Sequence, residues 1–377
     1  MLNPLNSEPK VRNHREIFFM KVSHLGGLLA LAVAPALHAQ VVNVYNWSDY
    51  IDEAVLDAFT EETGIRVVYD LFDANEVLET KLLTGGTGYD IVVPSAIFLQ
   101  RQIAAGLFQP LQKDKLPNLA NMWDVIAERT AAYDPDNLYS INYMWGTTGI
   151  GYNVEAAQER IGGPVTSWDV IFDPETIALF ADCGVYMLDA PTEMIPAALL
   201  YLGHDPNSHD LDLIAEAEAL ITAVTPSIER FHSSAYIDLL ANGDICLAVG
   251  WSGDVFIARD AAAEADNGVS VDYVIPNEGA QMWFDQMAIP ADAQNVEEAH
   301  RFLDYIMRPE VIAAASNYVY YANGNLASQP LLEADVIDDP AIYPDAATLA
   351  NTFTTTPYPQ DVQRVVTRTW TRIKTGQ

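Results

Sequence analysis

From residue 41 onward the apolar pattern switches between a period of two and a period near 3.6, and few folds accept that alternation. Residues 41–46 read as strand, 52–63 as helix, 65–71 as strand, 75–84 as helix, 90–93 as a buried strand and about 97–105 as helix. Such a βαβαβ opening calls for a parallel, layered sheet. After the Gly- and Thr-rich crossing Tyr143-Met-Trp-Gly-Thr-Thr-Gly-Ile-Gly151 the theme restarts. Strands are expected at 185–188, 245–249, 271–275 and 282–289, with helices at 194–202, 211–224 and 236–241. Residues 296–312 read as a long helix broken or kinked near Pro309. The chain has 377 residues, enough for two ordinary domains, and two α/β lobes are the economical reading.

The strand at 41–46 hands over to a helix through Trp47, Ser48, Asp49 and Tyr50. Open α/β sheets bind ligands beyond the carboxyl ends of their strands, so the residues at each strand end matter most. Pro94 and Ser95 follow the strand at 90–93. Asp189, Pro191, Thr192 and Glu193 follow the one at 185–188, and Gly250-Trp-Ser-Gly-Asp254 follows the one at 245–249. Trp283, Phe284 and Asp285 lie in the strand at 282–289. An aromatic ring and a carboxylate recur, and none of these positions offers Lys or Arg. An ammonium group wants carboxylate acceptors and rests well against an indole or phenol face. Acids crowded in a closed cleft would repel one another until a cation arrives.

Plainer roles compete. Ser48, Asp49 and Thr192 are all suited to capping a helix N-terminus, Asp49 strongly so beside Asp52 and Glu53. Trp47, Trp251 and Trp283 would each serve a core equally well taken singly.

Other chemistry is poorly represented. Nineteen Lys and Arg stand against 52 Asp and Glu, a net charge of -33, which excludes a basic nucleic-acid surface. Gly250-Trp-Ser-Gly-Asp254 misses the nucleophile elbow because Asp254 replaces its last glycine, and Gly85-Gly-Thr-Gly88 lacks the lysine of a P-loop. No CxxC or His/Cys cluster suggests zinc. Three alternatives to a cation receptor stay open: a glycoside hydrolase using paired cleft carboxylates, a sugar receptor, and an iron receptor using Tyr320-Tyr321.

The N-terminus has the pattern of an export signal. Lys21 precedes the apolar run 25–34, and Leu37-His-Ala39 suits a cut before Gln40. Residues 1–19 are polar and unpatterned, so they read as an extension upstream of a start at Met20. Loss of 1–39 would remove four basic and two acidic residues from the totals above. Cys183 and Cys246 both fall in the exported part, where a pair suggests one disulfide.

Together these motifs are identifiable. Asn46-Trp-Ser-Asp-Tyr50, Asp90-Ile-Val-Val-Pro-Ser95, the 143–153 crossing, Gly250-Trp-Ser-Gly-Asp254, Phe284-Asp-Gln-Met-Ala-Ile-Pro290 and Tyr320-Tyr-Ala-Asn323 resemble the periplasmic putrescine/spermidine-binding proteins of polyamine ABC importers, most closely the putrescine branch. The resemblance implies a two-lobed type II periplasmic-binding-protein fold closing about hinge strands. Lobe 1 would be 40–145 with a return segment 284–330, and lobe 2 146–283 with 331–377. It implies a monomeric periplasmic receptor, not an enzyme, with no cofactor or metal, serving an inner-membrane permease. By the family's pattern Trp47, Tyr50, Trp251, Trp283 and Tyr321 would form an aromatic box. Ser48 and Ser95 would hydrogen-bond, with Asp49 beside them, and Glu193, Asp254 and Asp285 would take the ammonium groups. The two cysteines match the family's pair. Trp283 stands where the putrescine branch usually carries Phe and spermidine receptors carry Trp, which implies spermidine binding beside putrescine with a slight lean to spermidine.

Overall fold

The structure, a computed structural model, describes residues 40–376, so the expected signal segment lies outside the described residues. Among the described residues ten strands form one sheet: β1 (Val41–Trp47), β2 (Arg66–Phe72), β3 (Ile91–Val92), β4 (Ser140–Asn153), β5 (Val185–Met187), β6 (Arg230–Phe231), β7 (Leu247–Trp251), β8 (Val271–Val274), β9 (Gln281–Ala288) and β10 (Ala322–Asn323). Their order is β2-β1-β3-β9-β4-β7-β5-β6, with β8 and β10 also pairing with β4.

The opening follows the expected pattern. β1 pairs in parallel with β2 and β3, joined by helices Glu53–Thr63 and Asn75–Thr84. Helix Glu53–Thr63 begins at Asp52, whose carboxylate accepts from the Ala54 N–H at 2.9 Å, and stops at Gly64 in the left-handed region. Asp52, not Ser48 or Asp49, is thus the cap. Helix Pro191–Tyr201 starts after Ala190 with Pro191 in its first turn, so Thr192 caps nothing.

The crossing at 143–151 differs from the sequence reading. It is the middle of β4, fourteen residues long and buried from Ser140 to Tyr152. Its glycines make room for neighbours instead of turning the chain. A Cβ on Gly146 would lie 2.6 Å from the Trp283 ring, and one on Gly149 2.4 Å from the Val274 carbonyl. Helix 296–312 is two helices, Val296–Ile306 and Pro309–Val319, because Pro309 forces a new start. Helix Gln360–Thr375, for which the sequence reading had no element, packs Val362, Val366, Trp370 and Ile373 inward at helical spacing.

The core divides along β4. One cluster gathers Val42, Phe59, Ile91, Tyr143, Met287 and Phe302; a larger one gathers Ile150, Trp168, Val185, Ile195, Leu247 and Phe256. Trp251 packs against both. Cys183 and Cys246 form a disulfide, Cα–Cα 5.6 Å, at the entry to the parallel neighbours β5 and β7.

Candidate ligand-binding cleft

Three carboxylates converge where the two clusters meet. Asp285 lies in β9, 5% exposed, and accepts at 2.7 Å from the Ser95 hydroxyl and at 2.7 Å from the Tyr50 phenol. Ser95 is held in turn by Asn75, whose amide nitrogen donates to the hydroxyl at 3.0 Å. Tyr50 is braced from behind by Tyr143, which donates to the Tyr50 carbonyl at 2.6 Å.

Asp254, in the first turn of helix Ser252–Ala265, accepts from Tyr321 and Tyr236, each at 2.8 Å. Glu193, in the first turn of helix Pro191–Tyr201, accepts from the Trp251 indole N–H at 3.0 Å and from the Thr148 hydroxyl. The rings touch in series: Tyr50 meets Tyr321 edge-on at 5.5 Å, and Tyr321 meets Trp283 at 5.1 Å. Two glycines let the rings in, since a Cβ on Gly253 would lie 2.4 Å from Tyr321, and Gly146 faces Trp283 as described. Trp47 turns its N–H to the Val93 carbonyl at 2.9 Å and packs on Phe72, leaving its remaining face partly exposed. Ser48 and Asp49 are exposed, with Asp49 at φ 52, a left-handed turn that Asp tolerates.

Nine of the eleven expected residues therefore interlock through these contacts or their immediate neighbours, while Ser48 and Asp49 stand at the rim. Tyr236 and Thr148 belong to the site as well and were not singled out in the sequence. Tyr236 is fully buried, and a Cβ on Gly250 would come within 2.6 Å of its ring; a tyrosine inside a helix gives no hint of this.

The electrostatics set these acids apart from the fold's other buried carboxylates. Asp90 is saturated with five donors: the backbone N–H groups of Asn43, Gln294 and Asn295 and the side-chain amides of Asn43 and Asn295. Asp285, Asp254 and Glu193 each receive two side-chain donors, and a carboxylate offers about four lone-pair sites. Among the described residues no Lys or Arg ion pair includes any of the three. Burial pushes Asp285 up to about 6 and Asp254 up to about 6, and the hydroxyl donors pull both partly back. The Asp49 charge adds a smaller upward push on Asp254. Burial lifts Glu193 to about 7, with Asp285 adding to it. Glu193 and Asp254 keep a little solvent contact, yet protein surrounds them densely enough for loss of hydration to dominate. The same burial holds the phenols of Tyr50, Tyr236 and Tyr321 well above their ordinary value, so they remain donors.

Acids raised in the folded state bind more protons folded than unfolded between about pH 4 and pH 7. Their stabilising contribution is present below the ordinary carboxylate range and is lost as pH rises through 6 and 7. Ligand-free protein should therefore melt lower at pH 7.5 than at pH 5, by about 1–3 kcal/mol per carboxylate. Calorimetric melts across that window check it, and a flat profile would contradict the assignment of buried, unpaired acids.

An open sheet of this order, carrying an aromatic cleft with three carboxylates short of cations, defines an extracytoplasmic solute receptor. The chain belongs to the bacterial extracellular solute-binding proteins, whose pattern it matches over residues 54–344. It is 49% identical over 356 residues to the putrescine-binding periplasmic protein PotF of Escherichia coli K12, covering 93% of this chain and 96% of the relative. It is 47% identical to the putrescine-binding periplasmic protein SpuD of Pseudomonas aeruginosa UCBPP-PA14, covering 94% and 96%. Among solved structures, a putative spermidine/putrescine ABC transporter protein from Listeria monocytogenes superposes with a TM-score of 0.79 at 31% identity, covering 90% of this chain and 100% of that one. The fold is the two-lobed type II class, as expected. No helix among the described residues is long and apolar enough to cross a membrane.

Proposed function

We propose that this protein captures a polyamine, putrescine or spermidine, in the cleft and hands it to an inner-membrane ABC permease. The observation that carries the reading is the trio Glu193, Asp254 and Asp285, buried, incompletely hydrogen-bonded and without a cationic partner. An ammonium group at each end of a short methylene chain supplies the missing charges. The faces of Trp47, Trp251, Trp283, Tyr50 and Tyr321 cover the methylenes and add cation–π attraction of roughly 0.5–2 kcal/mol. Ser95 orients Asp285, and Ser48 and Asp49 close the rim. A sugar would bring hydroxyls but no charge to offset three acids. For iron, the paired tyrosines part company: Tyr321 donates to Asp254 in the cleft, while Tyr320 turns to Asp260.

The lobes are proposed to divide at residues 145–146 and 283–284, inside the long strands β4 and β9, with 331–377 returning to the second lobe. The signal segment 1–39 would be cleaved and the mature receptor would act as a periplasmic monomer.

A thermal-shift screen with polyamines, sugars, amino acids and ferric ion tests the reading. At 100 times its dissociation constant the true ligand adds about 2.7 kcal/mol. A melting temperature raised by putrescine or spermidine is expected. A rise with a sugar or iron and with no polyamine would replace this function.

A further inference from the structure

Gln281, the first residue of β9, is 6% exposed, and its amide oxygen has no hydrogen-bond partner. A buried carbonyl left unpaired is costly, so such atoms call for an explanation. The backbone around it is satisfied: Met282 N–H donates to the Phe353 carbonyl at 2.7 Å, and Phe353 N–H to the Ala280 carbonyl at 3.0 Å. Only the side chain is left over.

Its position gives the reason. Gln281 is directly opposite Thr148 in the antiparallel β4–β9 pair, and Thr148 is opposite Trp251 in the β4–β7 pair. Directly opposed residues project to the same face of a sheet. Thr148 and Trp251 are the two groups that hold Glu193, so Gln281 flanks the Glu193 seat on the side away from β7. Along β9 the same face carries Trp283 and Asp285, two and four residues on. Four strand residues span about 14 Å. A four-carbon diamine anchored on Asp285 is too short to reach that far.

We propose that Gln281 accepts an N–H from a cationic nitrogen lying beyond the two ammonium groups of a putrescine-length ligand. The shared chemistry is a charged N–H donor farther along the ligand than putrescine's second nitrogen, either the extra amine of a triamine such as spermidine or a terminal NH2 of the guanidinium that replaces one ammonium in agmatine. A neutral amide suits this place, because a fourth acid beside Glu193 would deepen the repulsion in the empty cleft. The proposal rests on the polyamine reading above and adds a length-determining residue to it.

Calorimetry with putrescine, spermidine and agmatine on wild type, Gln281→Met and Gln281→Glu tests it. Methionine keeps the volume and deletes the acceptor. In Gln281→Met the affinity for spermidine or agmatine should fall by about fivefold or more while putrescine changes by less than about twofold, and the ligand that falls identifies the source. Gln281→Glu should keep or tighten binding of that same ligand. Unchanged ratios in Gln281→Met, or an equal loss for putrescine, overturn the proposal and return Gln281 to the fold. If the wild type takes none of the three ligands, the polyamine reading itself fails, a result distinct from binding that ignores Gln281.

Discussion

Replacing Asp285 by Asn is expected to weaken polyamine binding by about 2–5 kcal/mol, roughly 30- to 4,000-fold, while leaving the fold intact. Both oxygens of Asp285 are already oriented by Ser95 and Tyr50, so the carboxylate is held where a desolvated ammonium would meet it. An asparagine keeps the shape but loses the charge that attracts an ammonium, and its NH2 either forces one of the two hydroxyls to turn from donor to acceptor or meets the ammonium as donor against donor. Asp254→Asn meets the same conflict between Tyr236 and Tyr321 and should behave alike. The ligand-free variants should be more stable than wild type at pH 7.5, because a buried unpaired charge has been removed. Opposite signs for affinity and stability separate a ligand carboxylate from a structural one. Unchanged affinity in both variants would mean that the pocket lies elsewhere.

Loss of the Cys183–Cys246 bond should cost on the order of 4 kcal/mol of stability in the chain-entropy account, for a sequence separation of 63. The bond clips β5 to β7 where both strands begin. Trp251 at the far end of β7 is positioned by strand pairing, and Glu193, in the helix that follows β5, by that helix and by its hydrogen bond with Trp251. A Cys183→Ser/Cys246→Ser protein should therefore melt much lower yet bind polyamine with nearly the same affinity at low temperature. Denaturant melts paired with calorimetry check both halves. A lost affinity at full folding would show that the bond shapes the cleft as well.

Much of this was legible because local pattern and tertiary demand agreed. Helix Leu211–Val224 has the bounds its apolar spacing predicts, and β1, β2 and the two helices after them fall within a residue or two. Trp47, Glu193, Trp251 and Asp254 stood out as candidates because they follow strand ends, where such a sheet binds, and Asp285 stood out beside Trp283 although it lies inside β9. β4 was not legible. Gly146, Gly149 and Gly151 argue against a strand by propensity, and only the rings, the carbonyl and the aliphatic side chains packed against them, far away in sequence, explain why a strand needs them. Tyr236 and Thr148 were missed for a related reason, since a hydroxyl's partner cannot be read from its neighbours in the chain. The inward stripe of helix Gln360–Thr375 was present in the sequence and went unread.

The insertion of β9 between β3 and β4 has a consequence in time. A chain delivered from its N-terminus, by a ribosome or through a membrane pore, presents β1, β2 and β3 long before β9 exists. Ser95 waits 190 residues for Asp285, and Tyr50 waits 235. Until then the inner edge of β3 has no neighbour, and the first lobe cannot complete its sheet. Pairings this distant close slowly, because loop entropy must be overcome before the contacts form. The cleft is therefore among the last parts to take shape, and the chain stays loose, and so threadable, for most of its delivery.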